Sequence, residues 1–279
     1  VIPELSTIWD EPFADSSQIP TLLVSRLAKQ HVTVSLSGDG GDELFGGYSR
    51  YFYTRNIWNI LNRVPLPLRA TVAKSLTQFG PNGIKTLLKL LPKILRKKIT
   101  LERVLRGIDL LKRDSAHSVY QETLSIFHNP EDILLDPEVR KQLSMPGTID
   151  LLGQMRFEDS ANYLPGDILE KVDRASMATS LESRVPLLDH RIVEFAWTLP
   201  SHFLADRSTG KKLLRALLSR HVPKRLFTRP KQGFGVPIDE WLRGPLRPWA
   251  ESLLNQRRLE QEGFFDTQTV STIWNQHIN

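Results

Sequence analysis

One stretch constrains this chain more than any other: Ser37-Gly-Asp-Gly-Gly-Asp-Glu-Leu-Phe-Gly-Gly47, where glycines are interleaved with acids. The segment leading into it, His31-Val-Thr-Val-Ser-Leu-Ser37, is short, β-branched and alternating, which predicts a strand. Ile19–Lys29 ahead of that strand has Leu22, Leu23 and Leu27 on one side of a helix, and an aromatic helical pattern follows the loop through about Trp58. Strand, tight loop and helix in this order make the junction where open α/β sheets bind ligands. Glycine lets the backbone turn sharply and approach a ligand, and N–H groups at such a turn favour phosphate. Asp39, Asp42 and Glu43 would repel a bare phosphate. The two facts agree if a divalent cation lies between them, because Mg²⁺ is typically held by one or two carboxylates plus substrate oxygens. The loop is neither a Walker A motif, lacking Gly-Lys-Ser/Thr, nor a dinucleotide fingerprint, since Glu43 stands at the third glycine. The bland alternative is a glycine bend with an Asp cap; three acids among the glycines weigh against it.

The remaining 268 positions bound the answer more loosely: the chain has 279 residues, a net charge of +6 and no Cys. That is one large domain or two small ones. The absence of Cys removes thiolate catalysis, Cys-based zinc sites and iron–sulfur clusters from this chain. No apolar run reaches the roughly 18 residues of a membrane span. The start, Val1-Ile-Pro-Glu-Leu5, has neither a basic n-region nor an apolar h-region. The expected place is the cytoplasm, for a whole protein or a piece of a longer one. Three regions are expected: 1–60, with the strand, loop and helix; 61–145, a helical insertion; and 146–279, a helical carboxy-terminal part. Within the second, Lys85–Arg113 is strongly basic, either a surface for lipid or nucleic acid or a set of amphipathic helices with a solvated face. It lacks interleaved aromatics for base stacking, so neither nucleic acid nor membrane is expected as a partner.

In the third region, Pro165-Gly-Asp167 predicts a helix start with Asp167 as N-cap over Ile168–Ser180, and Asp189 caps Arg191–Leu199. A helix is expected at Lys211–His221, then a Pro-, Gly- and Lys-rich loop, Thr228–Pro237, then two helical patterns from Ile238. Lys231 in that loop is either a solvated lysine or a point charge for a phosphate leaving group. Thr209-Gly-Lys-Lys212 lacks the hydroxyl residue of a nucleotide motif and reads as a helix start. Lys171, Asp173, Arg174, Glu182 and Arg184 read as an internal salt-bridge network, with Asp167 and Lys171 at i, i+4.

With these residues in hand, the chain resembles the synthetase domain of the glutamine-dependent asparagine synthetase family. The resemblance rests on Asp10-Glu-Pro-Phe-Ala-Asp-Ser-Ser17, Val34–Tyr48, Lys171-Val-Asp-Arg-Ala-Ser-Met177, Leu181-Glu-Ser-Arg-Val-Pro-Leu-Leu-Asp-His190 and Arg229-Pro-Lys-Gln-Gly-Phe-Gly235. It implies an ATP-dependent ligase that forms β-aspartyl-AMP from aspartate and ATP, then lets ammonia from glutamine displace AMP. Carried over by position, Ser37, Gly38, Gly40 and Gly41 would bind the nucleotide, with Ser37 and Gly38 against AMP. Asp39 would help form or resolve the intermediate, as a base or as an electrostatic element. Asp42 would help hold Mg²⁺ and Lys231 would neutralise departing pyrophosphate.

Two family features are missing from the sequence: the Ser-Gly-Gly-x-Asp-Ser pyrophosphate motif and the Cys nucleophile of the glutaminase. The expectation is therefore the carboxy-terminal part of a synthetase domain, inactive by itself. Its fold would be a helix-dominated α/β architecture, an adenine nucleotide α-hydrolase-like (Rossmann-like) parallel sheet truncated to one or two strands. An uncovered sheet edge would favour self-association, including homodimers. The alternatives are a related acyl-adenylate enzyme that amidates polysaccharide sugars or closes β-lactam or peptide rings, and a non-enzymatic basic helical module.

Overall fold

The computed structural model describes residues 1–89, 99, 101–125, 132–136, 149–206, 208–228 and 233–278. Among them two short strands form one parallel pair, β1 (Val34–Leu36) and β2 (Glu182–Arg184), in the register Val34↔Glu182, Ser35↔Ser183, Leu36↔Arg184. Glu182 N–H donates to the Thr33 carbonyl and Ser37 N–H to that of Arg184, which carries the pairing one residue past each end of β1. The strand is shorter than His31–Ser37, and β2 lies where the sequence suggested only ionic pairing. Apart from an isolated antiparallel bridge between Leu134 and Phe265, the other regular elements among the described residues are helices, a helix-dominated α/β arrangement.

Before β1 come α1 (Ile2–Ile8) and α2 (Gln18–Lys29). Leu22 of α2 is buried against Trp9 and Ala175, but Leu23 and Leu27 face outward, the latter 60% exposed. The expected single apolar side is thus split, because the packing partner of α2 covers only the Ile19–Leu22–Ser25 stripe. After β1, α3 (Gly41–Phe45) and α4 (Ser49–Leu61) lead into α5 (Leu66–Gln78), α6 (Gly80–Lys89), α7 (Leu101–Leu111) and α8 (Ala116–Leu124). The buried Arg69 guanidinium donates to the carbonyls of Val64, Leu111 and Arg113, tying α5 to the end of α7. Much of the central basic run lies outside the described residues; of the rest, Lys112 pairs with Asp109 and Arg113 with Glu122.

The chain returns through α9 (Leu151–Glu158), a π-helical segment at Asp159–Leu169 and α10 (Glu170–Met177). Asp167 is therefore inside a helix that began well before it. Pro165, read in sequence as a break, sits in the π turns, where its missing N–H interrupts the α ladder without ending the helix. Past β2, Asp189 caps α11 (His190–Thr198) as expected, its carboxylate accepting from Arg191 N–H. Then come α12 (Ser201–Leu204) and α13 (Lys212–Leu218), the latter shorter than Lys211–His221: it starts late because Lys211 takes a left-handed φ of 54°, and it ends in turns from Ser219. From Ile238 there are four helices rather than two: α14 (Ile238–Arg243), α15 (Arg247–Leu253), α16 (Gln256–Glu262) and α17 (Thr267–Ile278). The interruptions are Gly244, Asn255 capping α16 and Gly263 at φ 70°. The side chains pack as several small cores; the one that fixes the glycine turn joins Leu44, Phe45, Ala196 and Leu204.

Candidate functional site

The backbone leaves β1 at Ser37, turns over Gly38–Gly40 and enters α3 at Gly41. Gly40 has φ 77°, and a Cβ there would run into Leu188, so the turn needs glycine twice over. Gly46 ends α3 at φ 66°. The buried Arg156 of α9 locks this helix from beneath. Its guanidinium donates to the carbonyls of Glu43 and Leu44 at 3.1 and 2.7 Å and to that of Ala196 at 3.1 Å. Burial lowers its pKa to about 10, still charged at neutral pH.

Above the turn lies a cleft of about 430 Å³ where four distant segments meet: Asp15–Ser17, Gly38–Glu43 with Tyr48, Tyr163–Lys171 and Gly233–Gly235. Within it each acid has its own donor. Asp39 accepts from the Ser37 hydroxyl. Asp42 lies 2.9 Å from Lys211 Nζ. Glu43 is buried and accepts from Tyr48 Oη at 2.5 Å; burial, with the charges of Asp42 and Asp159 adding to it, raises its pKa. Asp15 accepts from Lys171 and Ser17, which outweigh the effect of its burial and bring it down to about 2. Lys171, itself buried, also lies 3.3 Å from Asp167. Burial alone would lower its pKa, but the two carboxylates raise it.

The tyrosines of the cleft rest on a buried ion pair. Arg50 Nη2 lies 2.9 Å from Asp159 Oδ2, and Tyr51 Oη donates to the same carboxylate at 2.6 Å. The Arg50 guanidinium covers the rings of Tyr48 and Tyr163 at 4.0 and 4.5 Å, fixing both at the cleft wall.

Of the residues singled out in sequence, Gly38, Asp39, Gly40 and Asp42 line the cleft. Ser37 holds Asp39, and Gly41 opens α3 beneath Lys211. Lys231 lies outside the described residues; Gly233–Gly235 beside it line the cleft. The supposed single salt-bridge network is three separate pairings: Lys171 with Asp15 and Asp167, Arg174 with Glu170 and Asp10, and Arg184 with Glu182. Sequence reasoning gave no site role to Tyr48, Tyr163 or Lys211. The signal for Lys211 was Gly210, whose absent side chain lets it press on the backbone of Gly46 and Gly47.

Among the described residues no three His, Cys, Asp or Glu side chains form a cation cage. The donor set still fits a cation shared with phosphate, since such a cation needs only one or two carboxylates. Asp42 already faces a cation, the Lys211 ammonium. No helix among the described residues is long and apolar enough to cross a membrane.

The family model described as asparagine synthase matches residues 1–279. The chain is 30% identical over 266 residues to asparagine synthetase (glutamine-hydrolyzing) 1 of Bacillus subtilis, covering 93% of this chain and 39% of that protein. It is 37% identical over 252 residues to a putative asparagine synthetase (glutamine-hydrolyzing) of Mycobacterium tuberculosis, covering 89% of this chain and 37% of the relative. The chain thus spans under two-fifths of the length of these curated relatives. No solved structure gives a significant match.

Proposed function

The chain belongs to the asparagine synthase family, and from that premise we propose that it is part of an ATP-dependent amide ligase that makes asparagine from aspartate, with ammonia drawn from glutamine. The observation that supports this most is the convergence, around one cleft, of Asp15–Ser17, the glycine turn, Lys171 and Gly233–Gly235. These come from the same separated segments that carry the family resemblance. The fold reading is a truncated Rossmann-like sheet, and the compartment is the cytoplasm.

In this reading the side-chain carboxylate of aspartate attacks the α-phosphorus of ATP, giving β-aspartyl-AMP and pyrophosphate. Ammonia then attacks the acyl carbon and AMP leaves. Ser37 and Gly38 hold the AMP portion, and the bare backbone at Gly40 and Gly41 lets phosphate come close. Asp39, steadied by Ser37, sits beside the reacting carbonyl as base or electrostatic element. Lys231 offsets charge on the departing pyrophosphate. Asp42 would help hold Mg²⁺, which would neutralise phosphate charge. Lys211, 2.9 Å from Asp42, puts a fixed positive charge at the same place.

The test is AMP release by the full-length protein with a panel of carboxylates. Aspartate should be preferred, and Asp39→Ala or Lys231→Ala should lower turnover by about 100-fold or more. AMP release with another carboxylate and none with aspartate would assign the site to a related acyl-adenylate enzyme. The isolated 279-residue chain should show no glutaminase and little ligase activity.

A further inference from the structure

The π-helical segment Asp159–Leu169 carries two residues that meet the same arginine. Arg50 Nη2 pairs with Asp159 at 2.9 Å, and the Arg50 guanidinium lies 4.5 Å from the centre of the Tyr163 ring. The same guanidinium covers Tyr48, whose ring meets that of Tyr163 edge to face at 5.9 Å. Asp159 is fully buried, so it anchors Arg50, and Arg50 in turn fixes the ring of Tyr163. π turns are rare and frequent at functional sites. Here they present Tyr163 at the wall of the glycine-turn cleft.

The tyrosines around Arg50 differ in where their hydroxyls go. Tyr51 donates to Asp159, Tyr48 donates to Glu43, and Tyr120 accepts from Arg50. The Tyr163 hydroxyl has no hydrogen-bond partner among the described residues. Phenylalanine would serve the ring packing equally well, so the packing leaves this hydroxyl unexplained. Burial raises its pKa, so at neutral pH it keeps its proton and can donate. The glycine turn offers backbone to a phosphate. Tyr163, near enough to Lys171, Asp15 and Asp167 to feel their charges, belongs to the part of the cleft built from side chains. A fixed side-chain donor separates substrates that present an acceptor from those that do not. Given the ligase reading above, we propose that Tyr163 contacts the acyl substrate, donating to one of its oxygens, and that Arg50 is the positioning residue that holds the ring for this contact.

The experiment is steady-state AMP release by the full-length protein with the carboxylate it activates best. Tyr163→Phe removes only the hydroxyl. It should raise KM for that carboxylate about tenfold or more, with kcat within about twofold and KM for ATP unchanged. Arg50→Lys keeps a charge for Asp159 but loses the planar group over both rings, and should raise the same KM about threefold. Added to Tyr163→Phe, it should raise KM no further, because it acts through that hydroxyl. Arg69→Lys makes the same exchange at a buried arginine that lies over Trp58 and lines no part of the cleft, and should leave KM unchanged. The assignment is overturned by an unaltered KM in Tyr163→Phe, by a fall in kcat or a shift in KM for ATP in its place, or by additive effects of the two cleft variants. It also fails if Arg69→Lys reproduces the shift, which would mark a general loss of structure. A best carboxylate other than aspartate refutes the asparagine reading and leaves the Tyr163 contact to be decided by these KM values; activation of no carboxylate refutes both.

Discussion

Asp15 and Glu43 line one cleft yet titrate in opposite directions, because each answers to what it touches. Asp15 is charged against Lys171 and Ser17, and its pKa falls from 3.8 to about 2. A depressed carboxylate adds stability above its unfolded pKa and loses it as pH falls through the folded one. Asp15→Asn should therefore lower stability by about 2 kcal/mol near neutral pH. The gap to the wild type should narrow in urea melts as pH falls from about 4 to about 2. Glu43 is the reverse case: burial raises it above 4.5, so the folded state holds its proton longer than the unfolded one. Its stability contribution is complete in acid and declines as pH rises. Glu43→Gln keeps an acceptor for Tyr48 and removes that decline, so the variant should gain on the wild type as pH rises above the free-glutamate value of 4.5. A pH-independent difference would show that the Glu43 charge is compensated. None of this is visible in the string Asp-Gly-Gly-Asp-Glu. Sequence shows three acids near a phosphate-type turn; it cannot show that one is turned inward and another faces Lys211, 169 positions away.

At the scale of elements, the turn, α3 and the Thr209–Lys211 segment act as one unit. Lys211 N–H donates to the Phe45 carbonyl, and Gly210 packs so close that a Cβ would overlap the Gly46 carbonyl and come within 2.9 Å of Gly47 Cα. Gly210→Ala should cost about 1–3 kcal/mol by overpacking against backbone that cannot yield. Gly38→Ala, with nothing within 4 Å of the new methyl, should change stability by under about 0.5 kcal/mol. Thermal melts of the two variants side by side test the contrast. Arg156→Leu leaves three carbonyls without their donor; it should cost about 3 kcal/mol or more and speed hydrogen exchange in α3 before other helices. Helix starts marked by a local side chain, such as Asp189, were legible in the sequence. The run from α9 through the π segment to α10 was not. Pro165 is a breaker by local rules, yet the helix runs through it in π turns, between the buried side chains of Asp159 and Lys171.

For the whole molecule, the exposed apolar residues have a pattern. Leu23, Val24 and Leu27 of α2 are exposed, and so are Val32, Val34 and Leu36 at a strand that, among the described residues, pairs on one side only; Leu36 is 74% exposed. Parallel sheets are normally covered on both faces, so this surface should drive self-association of the isolated chain. Light scattering should show mass rising with concentration, and Leu27→Lys with Leu36→Thr should suppress the rise; a monomer at all concentrations would contradict this. Strand, turn and helix around Ser37–Gly47, the helical bulk and the family were determined by the sequence alone, because turn chemistry and periodicity act over a few residues. Tertiary structure decided which side chains share the cleft, which acid meets which cation and which face of α2 is buried. Those outcomes depend on contacts between residues more than a hundred positions apart, such as Lys171 with Asp15 and Arg156 with Glu43. Local pattern carries no information about pairings that only the packed chain creates.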